Sequence, residues 1–88
     1  MRLFEIVRRD TNIIRVTVAK DRTTVKLPTY LSEEDEQTIV GFVKRIEDDV
    51  RSKFDKTMRG QVYYDFEKKW DHLVLLSDNK KDKVEYKI

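Results

Sequence analysis

Apolar and polar residues alternate through the first third of the chain. Ile14, Val16 and Val18 are separated by Arg15 and Thr17, the period-two pattern of a strand with one buried face. Upstream, Phe4 and Ile6 interleave with Glu5 and Val7; downstream, Val25 and Leu27 interleave with Thr24 and Lys26. Asp10-Thr11-Asn12 supplies turn chemistry between the first two runs, and a four-residue turn, Lys20 to Thr23, separates the second from the third. These loop lengths predict a three-stranded meander. In it Ile6 faces Val16, Phe4 faces Val18, Val7 faces Arg15, Val18 lies opposite Val25, and Val16 opposite Leu27. One face then holds Phe4, Ile6, Ile14, Val16, Val18, Val25 and Leu27 and is core. The other holds Leu3, Glu5, Val7, Arg9, Ile13, Arg15, Thr17, Thr24 and Lys26 and is outer. A one-residue slip would put the first set in water.

Pro28 ends the third strand, since it has no N–H for the ladder. The period then changes. Ile39, Val43, Ile46, Val50 and Phe54 recur at spacings of four, three, four and four, one face of a helix. Val40, Phe42 and Met58 widen that face. Ser32 reads as the N-cap, and Ser32-x-x-Asp35 is close to a capping box. Glu33, Glu34, Asp35 and Glu36 fill the first turn, where each carboxylate complements the helix dipole by ~0.3–1 kcal/mol. Glu47 and Arg51, Asp49 and Lys53, and Asp55 and Arg59 are i,i+4 pairs in the favourable order. Gly60 reads as the C′ stop. The resulting helix has roughly 25 residues and a length of nearly 38 Å, long for this chain, so that part of it overhangs or packs on a second subunit.

In the final third, Leu73 to Leu76 and Val84 to Ile88 read as strands around the polar loop "SDNKKDK". The segment before them fits two periods. Tyr63, Phe66, Trp70 and Leu73 fall at helical spacing, whereas Val62, Tyr64 and Phe66 fit a strand. The Val-Tyr-Tyr run favours a strand over 61–67 by propensity, turning at Lys68-Lys69. The predicted fold is α+β: an antiparallel sheet, built of an N-terminal three-stranded meander plus C-terminal strands, packed on one long amphipathic helix. Residues 1–88 form a single domain, since two would each be too small to bury a core.

The stretch "TVKLP" followed by "VKRIEDDVRSKF", within residues 23–54, resembles the strand-then-helix order of the positive-cofactor-like and PUR-repeat single-stranded DNA binders. The likeness is one of spacing and residue class. Those families have four strands before the helix, and three are legible here. Fold order alone does not imply function.

Composition changes this picture in two ways. Charged residues make up 41% of the chain, against roughly 25% in ordinary domains, so the surface is almost entirely Lys, Arg, Asp and Glu. Cysteine is absent, which excludes a disulfide framework, a thiolate zinc site and a cysteine nucleophile. No apolar run approaches the ~20 residues of a membrane span. "MRLFEIVRRD" is too polar for a signal peptide. A cytoplasmic protein without a membrane partner is expected. The net charge of +2 is uneven: residues 1–30 carry seven basic and three acidic side chains, residues 31–60 six and eight, and residues 61–88 six of each. The basic first third either meets an acidic partner or balances the acidic helix.

Catalytic chemistry finds little support. The single histidine, His72, has no serine placed beside it by the predicted elements, and nucleophilic triads need that adjacency. Asp71-His72 has no third metal ligand. "DNKKD" at 78–82 lacks the glycine and closing glutamate of a calcium loop, and two glycines do not make a phosphate-cradling loop. A non-enzymatic binding protein with no cofactor or metal is expected. Two groups of residues carry the binding signal. Arg9, Arg15 and Lys26 lie on the outer sheet face, where cations would track phosphates. Lys68, Lys69 and Trp70, beside Phe66, combine cations with a stacking surface. Single-stranded DNA or RNA is the expected partner, bound by a homodimer. The alternative is a protein-interaction module, such as a small phage- or mobile-element-type inhibitor or adaptor, with Leu3, Val7 and Ile13 at the interface.

Overall fold

The structure, a computed structural model, describes residues 3–88. In chain order the elements are β1 (Leu3–Arg9), β2 (Ile14–Val18), β3 (Arg22–Pro28), α1 (Glu33–Lys53), β4 (Met58–Asp65), β5 (Lys69–Ser77) and β6 (Lys83–Lys87). The strands form one six-stranded sheet in the order β1-β3-β2-β4-β5-β6. Every neighbouring pair is antiparallel except β1 with β3, which is parallel. The helix packs on one face of this sheet, giving an α+β fold of two layers.

Alternation sets the two faces as expected, but of the predicted core residues Phe4 is only partly buried and Ile6 is 44% exposed, because β1 forms an edge of the sheet. Ile14, Val16, Val18, Val25 and Leu27 are buried beneath Ile39, Phe42, Val43, Ile46 and Val50 of the helix, together with Met58, Val62, Leu73 and Leu75 of the C-terminal strands. The neighbours differ from expectation. The N-terminal meander does not form: β1 skips β2 and lies outside β3, with Ile6 beside Val25 and Phe4 beside Thr23. The connection at residues 10–13 therefore passes over the end of β3, where the Arg9 carbonyl accepts from Thr29 N (3.1 Å) and Thr11 N (2.9 Å). Two interactions favour this arrangement. The inner edge of β2 is taken by β4, and on the outside β1 can send Arg8 to the start of the helix. Arg8 donates to the Pro28 carbonyl (2.8 Å), the Leu31 carbonyl (2.9 Å) and the Glu36 carboxylate (2.7 Å).

The β2–β3 hairpin is tighter than its predicted four-residue turn. Ala19 N donates to the Arg22 carbonyl (2.8 Å), and Val18 pairs with Thr23 and Val16 with Val25. This two-residue change of register preserves the faces and draws Thr23 into the core, where it is fully buried. Its hydroxyl donates to Glu47 (2.6 Å) and accepts from Arg51 (2.7 Å), while Arg51 Nε donates to the Ala19 carbonyl (2.9 Å). The i,i+4 pair Glu47–Arg51 thus also locks the hairpin to the helix.

The helix begins as expected, with Ser32 Oγ accepting from Asp35 N (3.2 Å), but it has 21 residues rather than about 25. At ~1.5 Å per residue its length is close to the 33 Å longest dimension of the molecule. Phe54 turns extended (φ −130°, ψ 121°) after a last bond to the Val50 carbonyl, and Met58 enters the core as the first residue of β4. The predicted Asp55–Arg59 helical pair is replaced by Arg59–Asp78 (3.6 Å). Gly60 is not a helix stop. It lies mid-strand, where an added Cβ would sit 1.6 Å from the Val74 carbonyl oxygen.

The segment 61–67 is largely strand, as its propensity predicts, turning where Lys69 takes a positive φ of 62°. Asp65 Oδ1 accepts from Glu67 N (2.8 Å) and Lys68 N (3.0 Å) in that turn, bonds that hold the carboxyl below its ordinary pKa. A register shift between Tyr63 and Tyr64 leaves Asp71 unpaired with β4.

Candidate functional site

The sheet face turned away from the helix has no covering layer among the described residues. By alternation its outward positions are Leu3, Glu5, Val7 and Arg9 of β1; Arg22, Thr24 and Lys26 of β3; Arg15 and Thr17 of β2; Arg59, Gln61, Tyr63 and Asp65 of β4; Lys69, His72, Val74 and Leu76 of β5; and Lys83, Glu85 and Lys87 of β6. Basic side chains outnumber acidic ones there eight to three. The acids are already engaged: Glu5 lies 3.7 Å from Arg22, Glu85 lies 2.9 Å from Lys87, and Asp65 accepts from the amides of its own turn. The hydrogen bond with Lys87 lowers the Glu85 carboxyl and raises the Lys87 ammonium relative to their ordinary pKa values.

The centre of this face is arranged differently. Arg15 and Lys26 are direct cross-strand partners, and like charges so opposed destabilise a sheet. No carboxylate among the described residues forms an ion pair with either. One position along, Thr17 faces Thr24 on one side and Arg59 on the other. Arg15, Thr17, Thr24, Lys26 and Arg59 together line a shallow depression. Two hydroxyls and three cations therefore converge on one open hollow. Every group can donate, and none carries negative charge. Such a set suits an anion with several oxygens.

Beyond Gln61, on the same face, Tyr63 stacks on His72 with ring centroids 4.8 Å apart and planes 13° apart. Tyr63 is 39% exposed. The register shift after Tyr63 ends this strip: the next pair, Tyr64 with Trp70, belongs to the opposite side of the hairpin and meets edge to face at 4.9 Å.

The six residues singled out from sequence therefore separate. Arg9, Arg15 and Lys26 share the open face. Trp70 packs against the helix-side core, with its indole Nε1 buried and without a partner. Lys68 and Lys69 stand at the tip of the β4–β5 hairpin beside Phe66, which is 94% exposed. Arg59, Thr24, Tyr63 and His72 join the candidate site in the structure. Arg59 was hidden by its assignment to the helix. Tyr63 and His72 required the pairing of β4 with β5, and Tyr63 in particular was overshadowed by the more conspicuous Trp70.

His72 Nδ1 lies 3.2 Å from Asp71, but no cluster of three His, Cys, Asp or Glu side chains gathers for a metal among the described residues. Among the described residues no helix is long and apolar enough to cross a membrane. Compared with known protein families, curated proteins and solved structures, the chain matches none.

Proposed function

We propose that this is a non-enzymatic protein that binds single-stranded DNA or RNA across its open sheet face. The observation that carries the reading is the opposed Arg15–Lys26 pair, with no acidic partner, beside Arg59 and over the hydroxyls of Thr17 and Thr24. A phosphate in that hollow would relieve the repulsion. Tyr63 and His72 supply an adjacent aromatic surface for a base. Arg9 and the pair Lys68–Lys69 lie at the ends of the track and would extend it.

The test is fluorescence anisotropy of a labelled oligonucleotide over a range of salt. Affinity is expected to fall steeply with salt as phosphate counterions are released. The triple variant R15Q/K26Q/R59Q should lose most binding and flatten the slope of log K against log salt by about 2, at about 0.7 per contact on a single strand. Tyr63→Ala should weaken binding about tenfold or more without changing that slope. Trp70 emission should stay constant throughout, since Trp70 faces the other way. Unchanged affinity in the triple variant would remove the proposal.

A second reading, a protein-interaction module of the inhibitor or adaptor kind, rests on the hairpin tip. Phe66 is almost fully exposed there and Tyr64 is 57% exposed. In that case Phe66→Ser would abolish partner capture, and the sheet cations would be dispensable.

A further inference from the structure

The sheet has two free edges, and they differ in kind. β6 is short, with a Lys at each end, a common device against strand addition. β1 has seven residues, no proline and no bulge. Its apolar side chains Leu3 and Ile6 are 49% and 44% exposed. Its backbone is poised for pairing. Leu3 N donates to the Asp21 carbonyl, and the Arg9 carbonyl accepts from Thr29 N, so the odd-numbered residues turn their peptide groups toward β3. In a parallel ladder the alternate residues point the other way. The N–H and C=O groups of Phe4, Ile6 and Arg8 therefore face outward along the free edge.

We infer that β1 is a self-association edge, pairing antiparallel with β1 of a second copy about a two-fold axis at Ile6. In this register Ile6 exchanges both peptide hydrogen bonds with the partner's Ile6, and Phe4 does so with the partner's Arg8. All the outward groups of the strand are thereby used. A register centred on Arg8 would instead oppose two guanidinium groups and leave the groups of Phe4 unused.

The side chains agree with the Ile6 register on both faces. On the helix side, the half-exposed Ile6 meets its own copy, and Phe4 meets the aliphatic stem of the partner's Arg8. On the open side, Glu5 lies opposite the partner's Val7 and Leu3 opposite the partner's Arg9. Glu5 is then diagonal to the partner's Arg9, within reach for long side chains. Arg9 has no carboxylate in an ion pair with it among the described residues, so the second copy provides one, shared with the Arg22 of that copy's own chain. The two-fold axis is perpendicular to the sheet, and both open faces therefore lie on the same side of one continuous twelve-stranded sheet. This inference rests on the edge alone and stands whether or not the open face binds nucleic acid.

Sedimentation equilibrium over about 5–500 μM is the first test, a range that brackets weak and moderate association. A dimer of the 10.6 kDa chain is expected. Ile6→Pro removes an outward N–H that makes no bond within the chain, so it should give a folded monomer with unchanged far-ultraviolet circular dichroism. Glu5→Arg should weaken the dimer about tenfold by placing Arg beside the partner's Arg9, and the double swap E5R/R9E should restore it. The absence of native cysteine permits a positional check. Ile6→Cys should form an intermolecular disulfide, since directly opposed hydrogen-bonded residues are ~5.5 Å apart at Cα, within disulfide range. Glu85→Cys on β6 should not. A wild-type monomer throughout the range would overturn the inference and leave the edge to a strand from another protein. A dimer cross-linked through residue 85 and not residue 6 would overturn it equally.

Discussion

A single methyl group has opposite consequences at the two glycines. At Gly60 it would lie 1.6 Å from the Val74 oxygen and 2.6 Å from the Val74 carbonyl carbon. Both are backbone atoms in the middle of a sheet and cannot rotate aside. Gly60→Ala is expected to cost about 3 kcal/mol or more, read as a lower urea midpoint or as loss of folding. At Gly41, mid-helix, an added Cβ meets nothing within 4 Å. Gly41→Ala should therefore stabilise the protein by about 0.5–1 kcal/mol, raising the same midpoint. The sequence makes Gly60 look like a helix stop, because a glycine after a long amphipathic run ordinarily is one. What distinguishes it is the close approach of backbone fourteen residues along the chain, which no local pattern carries. Thr23 was obscured in a similar way. It reads as a turn residue until the hairpin tightens, and only then does its hydroxyl meet Glu47 and Arg51.

Among the elements, the side chain of Tyr86 joins β6 to the helix by donating to the carboxylate of Asp49. That bond, followed by Lys53, lowers the Asp49 carboxyl from its ordinary 3.8. Desolvation, followed by the same carboxylate, raises the Tyr86 hydroxyl from 10.0. The two shifts act at opposite ends of the pH scale. The Asp49 contribution is complete above the unfolded carboxyl pKa and is lost as pH falls through the depressed folded value. The Tyr86 contribution is complete below the unfolded phenol pKa and is lost as pH rises through the raised folded value. Tyr86→Phe should lower stability at neutral pH and flatten both limbs of a stability-against-pH curve, measured by chemical denaturation from acid to alkaline buffer. Element types were legible except at 58–60, read as the helix end and found at the start of β4: period two marked the strands, period 3.6 the helix, and propensity resolved 61–67. Element neighbours were not. Alternation tells which way Phe4 and Ile6 point, and they point the same way beside β2 or beside β3. The deciding contact is that of Arg8 with Pro28, Leu31 and Glu36, which involves the whole span from first strand to helix.

Over the whole molecule, a net charge of only +2 conceals a strongly one-sided distribution. The acidic first turn of the helix stands on one layer and the basic strand positions on the other, so a sum over the chain nearly cancels what the fold separates. Arg9, Arg15 and Lys26 were recognisable as one face because they sit in alternating strands. Arg59, Tyr63 and His72 were not, since their place depends on strand pairings late in the chain. The crowding of cations also predicts a trade between binding and stability. In R15Q/K26Q the opposed charges disappear, which should stabilise the protein by about 1 kcal/mol at low salt, or roughly 4–8 °C in Tm for a domain of this size. Most of that gain should vanish at high salt, where repulsion between exposed charges is already screened. Equal gains at both salts would indicate that the charges do not repel as their register implies.

The place of β1 outside β3 also orders events in time. The β2–β3 hairpin closes through a short local turn, an event of microseconds. β1 must find a partner nineteen positions along the chain, with Leu3 beside Arg22, and Arg8 cannot complete its bonds until the helix has a first turn. The strand nearest the start of the sequence is thus the last of the N-terminal three to settle. In pulse-labelled refolding, amides of β2 and β3 should gain protection before those of β1. Until β1 arrives, the far edge of β3 is bare, and that brief interval is when the chain is most open to joining the wrong neighbour.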